Sequence, residues 1–194
     1  MIYQVFIKRG VDFTFVLGVL LILVIPFIII ALIIKLESAG PIFFRQERLG
    51  KDKKIFKVYK FRTMTNKKRV VEQTFKDNTE ITRFGYYLRR FKIDEMPQIL
   101  NVLNGDMAII GPRPCMPNTT EKYGLDDYRF QVRPGLSSIA GVNGSIFLTW
   151  EEKWWYDKYY VQNLNFCLDI NIFFKTFLVI ILGEEKFLKK PNMK

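Results

Sequence analysis

"FTFVLGVLLILVIPFIIIALII", residues 13–34, contains no charged residue, and its reading decides the architecture of the whole chain. About 20 apolar residues in a helix match a hydrocarbon core of roughly 30 Å. The run is too long for the apolar part of a cleaved signal peptide, and the "LESAGP" that follows is a poor cleavage site. It therefore reads as an anchor that stays. Pro26, near its middle, removes a backbone hydrogen bond that a membrane requires to be replaced locally. Lys8 and Arg9 precede the run, and Lys35, Arg45, Arg48, Lys51, Lys53 and Lys54 follow it. Positive charge favours the cytoplasmic side, so both flanks prefer the same side. A helix bent at Pro26 that enters and leaves through one leaflet satisfies both flanks. An ordinary span with a tolerated proline satisfies the heavier C-terminal flank. Charge and proline alone weigh the two equally, and either puts the body in the cytoplasm.

The 194 residues suffice for one domain with a core plus this element. The chain carries 30 Lys+Arg against 19 Asp+Glu, a net charge of +11. That balance suits an anionic partner: nucleic acid, a negatively charged leaflet or a phosphorylated substrate. There is no histidine, which removes the commonest general base and metal ligand and leaves carboxylates, Lys, Tyr or Cys for such chemistry. Cys115 and Cys167 form no CxxC motif, so a reduced, cytosol-facing body is the default.

Residues 41–64, "PIFFRQERLGKDKKIFKVYKFRTM", read as two strands around a Gly-containing turn, with basic residues among the β-formers. Such a ribbon could also bind nucleic acid. Residues 65–80 are polar and read as a loop with a short helix, and Phe84, Leu88 and Phe91 recur at helical spacing. In "FKIDEMPQIL", residues 91–100, Asp94 and Glu95 stand side by side. Met96, Ile99, Leu100 and Leu103 then repeat as one helical face, and Asn104-Gly105 gives a stop. This predicts a helix beginning at about Asp94, with Asp94 as its cap and Pro97 in the first turn. Capping alone would explain an isolated acid pair at a helix start. Its surroundings favour chemistry. Residues 104–114, "NGDMAIIGPRP", place Arg113 between two prolines, and residues 132–144, "VRPGLSSIAGVNG", place Arg133 ahead of Pro-Gly. Arginine's fork suits phosphate, and a stiff loop loses little freedom on binding. These two loops and the basic, helix-capped loop that carries the acid pair together suggest a diphosphate site. Residues 150–183 are rich in Trp, Tyr and aliphatics and read as interfacial or core helices. The 184–194 tail reads as solvated.

Together these blocks resemble the bacterial sugar transferases, the monotopic polyprenyl-phosphate phosphoglycosyl transferases. The resemblance covers nearly the whole chain: "KRGVDF" with the apolar helix, "FRQERLGKDKKIFKVYKFRTM", "LRRFKIDEMPQILNVLNGDMAIIGPRP", "VRPGL…VNG" and "YDKYYVQNLNFCLDINI". It implies an α+β, membrane-associated fold in three parts. Residues 1–36 would be a re-entrant helix bent at Pro26, residues 37–183 a catalytic domain with interfacial helices, and residues 184–194 the tail. It implies transfer of a sugar 1-phosphate from a UDP-sugar to undecaprenyl phosphate with release of UMP, as the first membrane step of capsule, O-antigen or other surface glycan synthesis. By resemblance Asp94 is the nucleophile and forms a phospho-sugar intermediate, and Glu95 helps hold Mg²⁺ or assists proton transfer, so that both carboxylates are metal candidates. Lys60, Arg62, Arg89, Arg113 and Arg133 are phosphate-binding candidates, and Asp169 supports the metal or a basic residue. The expected partners are donor, lipid acceptor and membrane lipids at the bacterial cytoplasmic membrane. A homodimer is compatible with this reading, and nucleic acid is not an expected partner. Relatives often carry "RPGITGWAQVNGR" where this chain has "RPGLSSIAGVNGS", so Ser137-Ser138, Ile139 and Ser145 are departures. They motivate an alternative, a non-catalytic basic membrane protein that binds lipid or partners.

Overall fold

The computed structural model describes residue 3 and residues 7–65, 80–119 and 127–192. The fold is α+β. Helix α1, Lys8–Glu37, carries the apolar run and contains Pro26 without a break in the element. It is long and apolar enough to cross a membrane. Pro26, where the bend is expected, thus lies inside a single helix, and both ends of that helix fasten to the same body. At its start Lys8 Nζ lies 2.6 Å from Asp169 Oδ2, and Arg9 donates to the carbonyls of Val102 and Leu103. At its end Arg62 donates to the carbonyls of Ile34, Ser38 and Ala39, which closes orphan groups of the last turn. Between these ends Val16 is buried, and Leu20, Leu23 and Phe27 pack partly against the core. The opposite face is bare. Leu21, Ile22, Ile25, Ile28, Ile29 and Leu32 are all more than half exposed.

Strands β1, Phe43–Leu49, and β2, Ile55–Phe61, form the expected antiparallel hairpin, with Phe43 opposite Phe61 and Leu49 opposite Ile55. Most of the loop expected over residues 65–80 lies outside the described residues. Helix α2, Arg83–Arg90, is capped by Thr82, whose side chain accepts from the Gly85 amide. The helix expected to start at Asp94 begins differently. A 3₁₀ turn spans Ile93–Gln98, preceded by Lys92 at φ 55° with no side-chain cap, and helix α3 follows at Ile99–Asn104. Pro97 has no N–H to donate, so the regular ladder sets in only beyond it. Asp94 is therefore inside the first turn and is not its cap.

Strands β3, Ala108–Ile110, and β4, Gly135–Ser137, pair in parallel. This lays the Gly-Pro-Arg-Pro loop beside Arg133-Pro-Gly. The two backbones approach so closely that a Cβ on Gly135 would lie 2.1 Å from the Gly111 amide nitrogen. Helices α4, Trp150–Asn163, and α5, Phe166–Leu182, cover this pair. A full capping box at Thr149 and Glu152 starts α4. Tyr156 and Tyr160 belong to the core, whereas Tyr159 is exposed, so the aromatic cluster divides between core and surface. Phe174, Phe177, Leu178, Ile180 and Ile181 on α5 are half or more exposed. Phe15 meets Phe173 edge-on at 5.5 Å, which joins this face to that of α1. The expected solvated tail is largely exposed, but it is docked. Lys189 N–H donates to the Asn143 carbonyl, and Tyr156 donates to the Lys189 carbonyl.

Candidate active site

The acid pair opens onto a cleft of about 1530 Å³ between the β-hairpin, α2 and the Gly-Pro-Arg-Pro loop. Asn101, outside the cleft lining, ties the acid turn to the hairpin. This fully buried side chain on α3 accepts from Tyr59 N–H at 3.1 Å and donates to the Lys57 carbonyl at 2.8 Å, so it continues the hydrogen bonding of β2. That pins the 3₁₀ turn under β2 and brings Lys60 to Glu95. Lys60 Nζ lies 2.7 Å from Glu95 Oε1, and Arg113 Nη2 lies 2.7 Å and 2.9 Å from the two Glu95 oxygens. Arg89, from α2, is oriented by its Nε donating to Thr63 Oγ1 at 2.7 Å.

The two carboxylates are electrostatically unlike. Burial alone would raise Glu95, but Arg113 and Lys60 outweigh it and hold the group down to about 2. Asp94 is raised above its ordinary value, first by burial and then by the Glu95 charge, with Lys60 and Arg89 opposing. Environments that push two neighbouring carboxyls apart mark groups with different tasks.

Of the residues expected at the site, Asp94, Glu95, Lys60, Arg62, Arg89 and Arg113 line the cleft. Arg62 does so from a buried position where its guanidinium is spent on the end of α1. Arg133 and Asp169 lie elsewhere. Arg133 Nε donates to the Gly105 carbonyl at 2.7 Å. Asp169 is buried and accepts from Tyr3, Lys8 and Tyr160. Of the two tasks expected of it, Asp169 supports a basic residue, Lys8. Sequence reasoning missed Lys92 and Glu184, which line the cleft and pair with each other. No periodicity or spacing links a tail glutamate to position 92. Asn101 was also missed, although a polar residue among Ile99, Leu100, Val102 and Leu103 is a usable signal of a buried bond.

Among the described residues no group of three or more His, Cys, Asp or Glu side chains gathers at metal-binding distance. The acid pair supplies oxygen donors of the kind Mg²⁺ takes, commonly one or two carboxylates completed by substrate phosphates.

Comparison with known proteins gives the family. The chain belongs to the bacterial sugar transferase family, whose model matches residues 3–183. It is 35% identical to the uncharacterized sugar transferase EpsL of Bacillus subtilis (strain 168), over 92% of this chain and 89% of that one. It is 37% identical to the UDP-N-acetylgalactosamine-undecaprenyl-phosphate N-acetylgalactosaminephosphotransferase of Aeromonas hydrophila, over 92% of this chain. It is 36% identical to the UDP-glucose:undecaprenyl-phosphate glucose-1-phosphate transferase of Escherichia coli (strain K12), over 88% of this chain. The matches span 44% and 39% of the last two proteins, so this chain corresponds to less than half of each.

Proposed function

We propose that the protein transfers a sugar 1-phosphate from a UDP-sugar to undecaprenyl phosphate, with Asp94 as nucleophile. The observation that carries this reading is the division of labour in the cleft. Glu95 is fixed between Lys60 and Arg113, while Asp94 beside it makes no ion pair among the described residues. A carboxylate attacks without a base because it is already ionised. Asp94 Oδ forms a bond to the sugar-bearing phosphorus, the bond from that phosphorus to the bridging oxygen breaks, and UMP leaves with the electron pair. An oxygen of the lipid phosphate then attacks the aspartyl phospho-sugar. The Asp94–phosphorus bond breaks and the carboxylate is restored. Lys60, Arg89 and Arg113 neutralise the diphosphate that must approach an anion. Asp94 and Glu95 are the residues that would hold Mg²⁺, which when bound supplies further charge neutralisation at the diphosphate.

The bare faces of α1 and α5 suit the hydrocarbon edge of a bilayer, where lipid removes them from water. Because both ends of α1 are fastened to one body, we read the helix as re-entrant, with the body in the cytoplasm. Purified protein in detergent, given undecaprenyl phosphate, Mg²⁺ and a panel of UDP-sugars, is expected to release UMP with at least one donor. Binding of the lipid without release from any donor would instead favour a non-catalytic relative.

A further inference from the structure

Lys92 stands between α2 and the acid turn at φ 55°, a left-handed conformation that is costly for a residue with a Cβ. Its N–H donates to the Arg89 carbonyl at 3.1 Å, and its carbonyl accepts from the Glu95 N–H at 3.3 Å. The strained residue is therefore the joint between Arg89 and the acid pair, and its side chain lines the cleft with those of Arg89, Asp94, Glu95 and Arg113. Backbone strain held at such a place points to a task for the side chain. The partner of Lys92 comes from the far end of the chain. Glu184 opens the 3₁₀ turn Glu184–Phe187 that follows α5, and its carboxylate accepts from Lys92 Nζ. The segment that carries it is seated. A Cβ on Gly144, at φ 112°, would lie 2.6 Å from Leu188 Cδ1, so Leu188 fills the space the glycine leaves. Lys189 is bonded to Asn143 and Tyr156, and Lys190 Nζ lies 3.6 Å from Glu152 Oε1. The pair itself is lopsided. The Lys92 side chain is 56% exposed and that of Glu184 17%. An ion pair open to water on its cationic side contributes little, and a phosphate offers an ammonium more charge and more acceptor oxygens than one carboxylate.

We infer that Lys92 is a further ligand for a substrate phosphate, and that Glu184 of the docked C-terminal segment holds it until that phosphate displaces the carboxylate. The inference rests on the transferase reading above. The same arrangement recurs in the cleft, where Glu95 holds Lys60 and Arg113. In both places a carboxylate stands in for phosphate oxygens and offsets the mutual repulsion of the cations. Glu184 differs in one respect. It comes from outside the acid turn, so it can give up its lysine without moving Asp94. The ligand of Lys92 is a phosphate oxygen, either of the donor diphosphate or of the lipid phosphate, and the two sources separate by experiment.

The test uses the full-length, detergent-solubilised protein in Mg²⁺. UDP affinity is measured by calorimetric titration, and the KM for undecaprenyl phosphate from UMP release. Lys92→Met is expected to weaken one of the two about tenfold, the share of one hydrogen bond between charged groups. A loss in UDP affinity assigns Lys92 to the donor, and a rise in KM assigns it to the lipid phosphate. Glu184→Gln leaves the seat of the segment on Gly144 and Asn143 intact, and is expected to shift the same quantity the opposite way, by up to about fivefold, the worth of an exposed pair. The double variant is expected to match Lys92→Met, because no lysine is left to release. Weakening in both single variants would show a purely structural pair and overturn the inference. A gain from Glu184→Gln that persists without Lys92 would overturn it as well. Unchanged UDP affinity and KM in Lys92→Met would overturn it and leave the transferase reading standing. A wild-type protein that neither binds UDP nor releases UMP would remove the transferase reading itself.

Discussion

Arg113 grips Glu95 with one nitrogen, Nη2, at 2.7 Å from one carboxylate oxygen and 2.9 Å from the other. The pair joins the Gly-Pro-Arg-Pro loop to the acid turn, and Lys60 joins the β-hairpin to the same carboxylate. Glu95 thus holds two cations where incoming phosphate oxygens would compete for them. In the proposed reaction the neighbouring Asp94 is the group that attacks.

Asp94→Asn is expected to abolish donor-dependent UMP release, a loss of about a thousandfold or more for a nucleophile, without loss of UDP-sugar binding. Full turnover in this variant would exclude a covalent route. Arg113→Met is expected to lower kcat by roughly a hundredfold or more, as for other groups that stabilise developing charge.

The pH profile follows from Asp94. It must be ionised to attack, and burial together with Glu95 raises its carboxyl above the ordinary 3.8. Activity should therefore fall as pH drops through a value above 3.8. Glu95→Gln removes the neighbouring negative charge and releases Lys60 and Arg113, so the acid limb of kcat/KM is expected to move to lower pH. An upward shift would contradict the arrangement.

Asp169 anchors the start of α1. Its carboxylate lies 2.6 Å from Lys8 Nζ and accepts from Tyr3 at 2.6 Å and Tyr160 at 2.7 Å. Asp169→Asn leaves a buried ammonium poorly compensated and is expected to cost about 3–5 kcal/mol. Tyr160→Phe should cost about 1 kcal/mol. Thermal unfolding in detergent would rank the two, and equal effects would show that the ion pair is not what holds the helix.

Gly135→Ala is expected to be severe, because its Cβ would meet the Gly111 amide nitrogen at 2.1 Å. Gly18→Ala, with nothing within 4 Å, should leave folding and activity unchanged. Expression of folded protein and UMP release would compare them, and a tolerated Gly135→Ala would mean that the two loops are not in contact.

The orientation of α1 can be read by labelling. Ile7 and Leu36 are 50% and 87% exposed at opposite ends. In a background lacking Cys115 and Cys167, cysteines at these positions are expected to react with an impermeant reagent from the same side of the membrane. Reaction from opposite sides would establish a span.

Much of this molecule was legible in the sequence because its signals are local. The apolar run, the β-former blocks around Gly50, and the glycine after Asn104 each specify an element within a few residues. The convergence of Asp94, Glu95 and Arg113 on one cleft was legible through the order of the motifs. What escaped depends on contacts across the chain. Arg62 looks like one more basic strand residue, yet it is drawn to the carbonyls at the end of α1. Asp169 looks like part of a site until Lys8, 161 positions away, is found against it. Pro97 fits the first turn of an α-helix equally well on paper, and the tighter turn over Ile93–Gln98, held to β2 through Asn101, shows only in the packed chain.

The fastening of α1 at both ends also bears on how the protein can be handled. Deleting the helix would not yield a soluble catalytic fragment. It would strip Asp169 of its lysine and Arg62 of its carbonyls, and uncover Val58, Val102, Met107 and Phe61, which pack with Val16 and Ile34 or their neighbours. A water-soluble form is better sought by polar replacement on the bare side of the helix, at Leu21, Ile22, Ile25, Ile28 and Ile29, with the inward side left as it is.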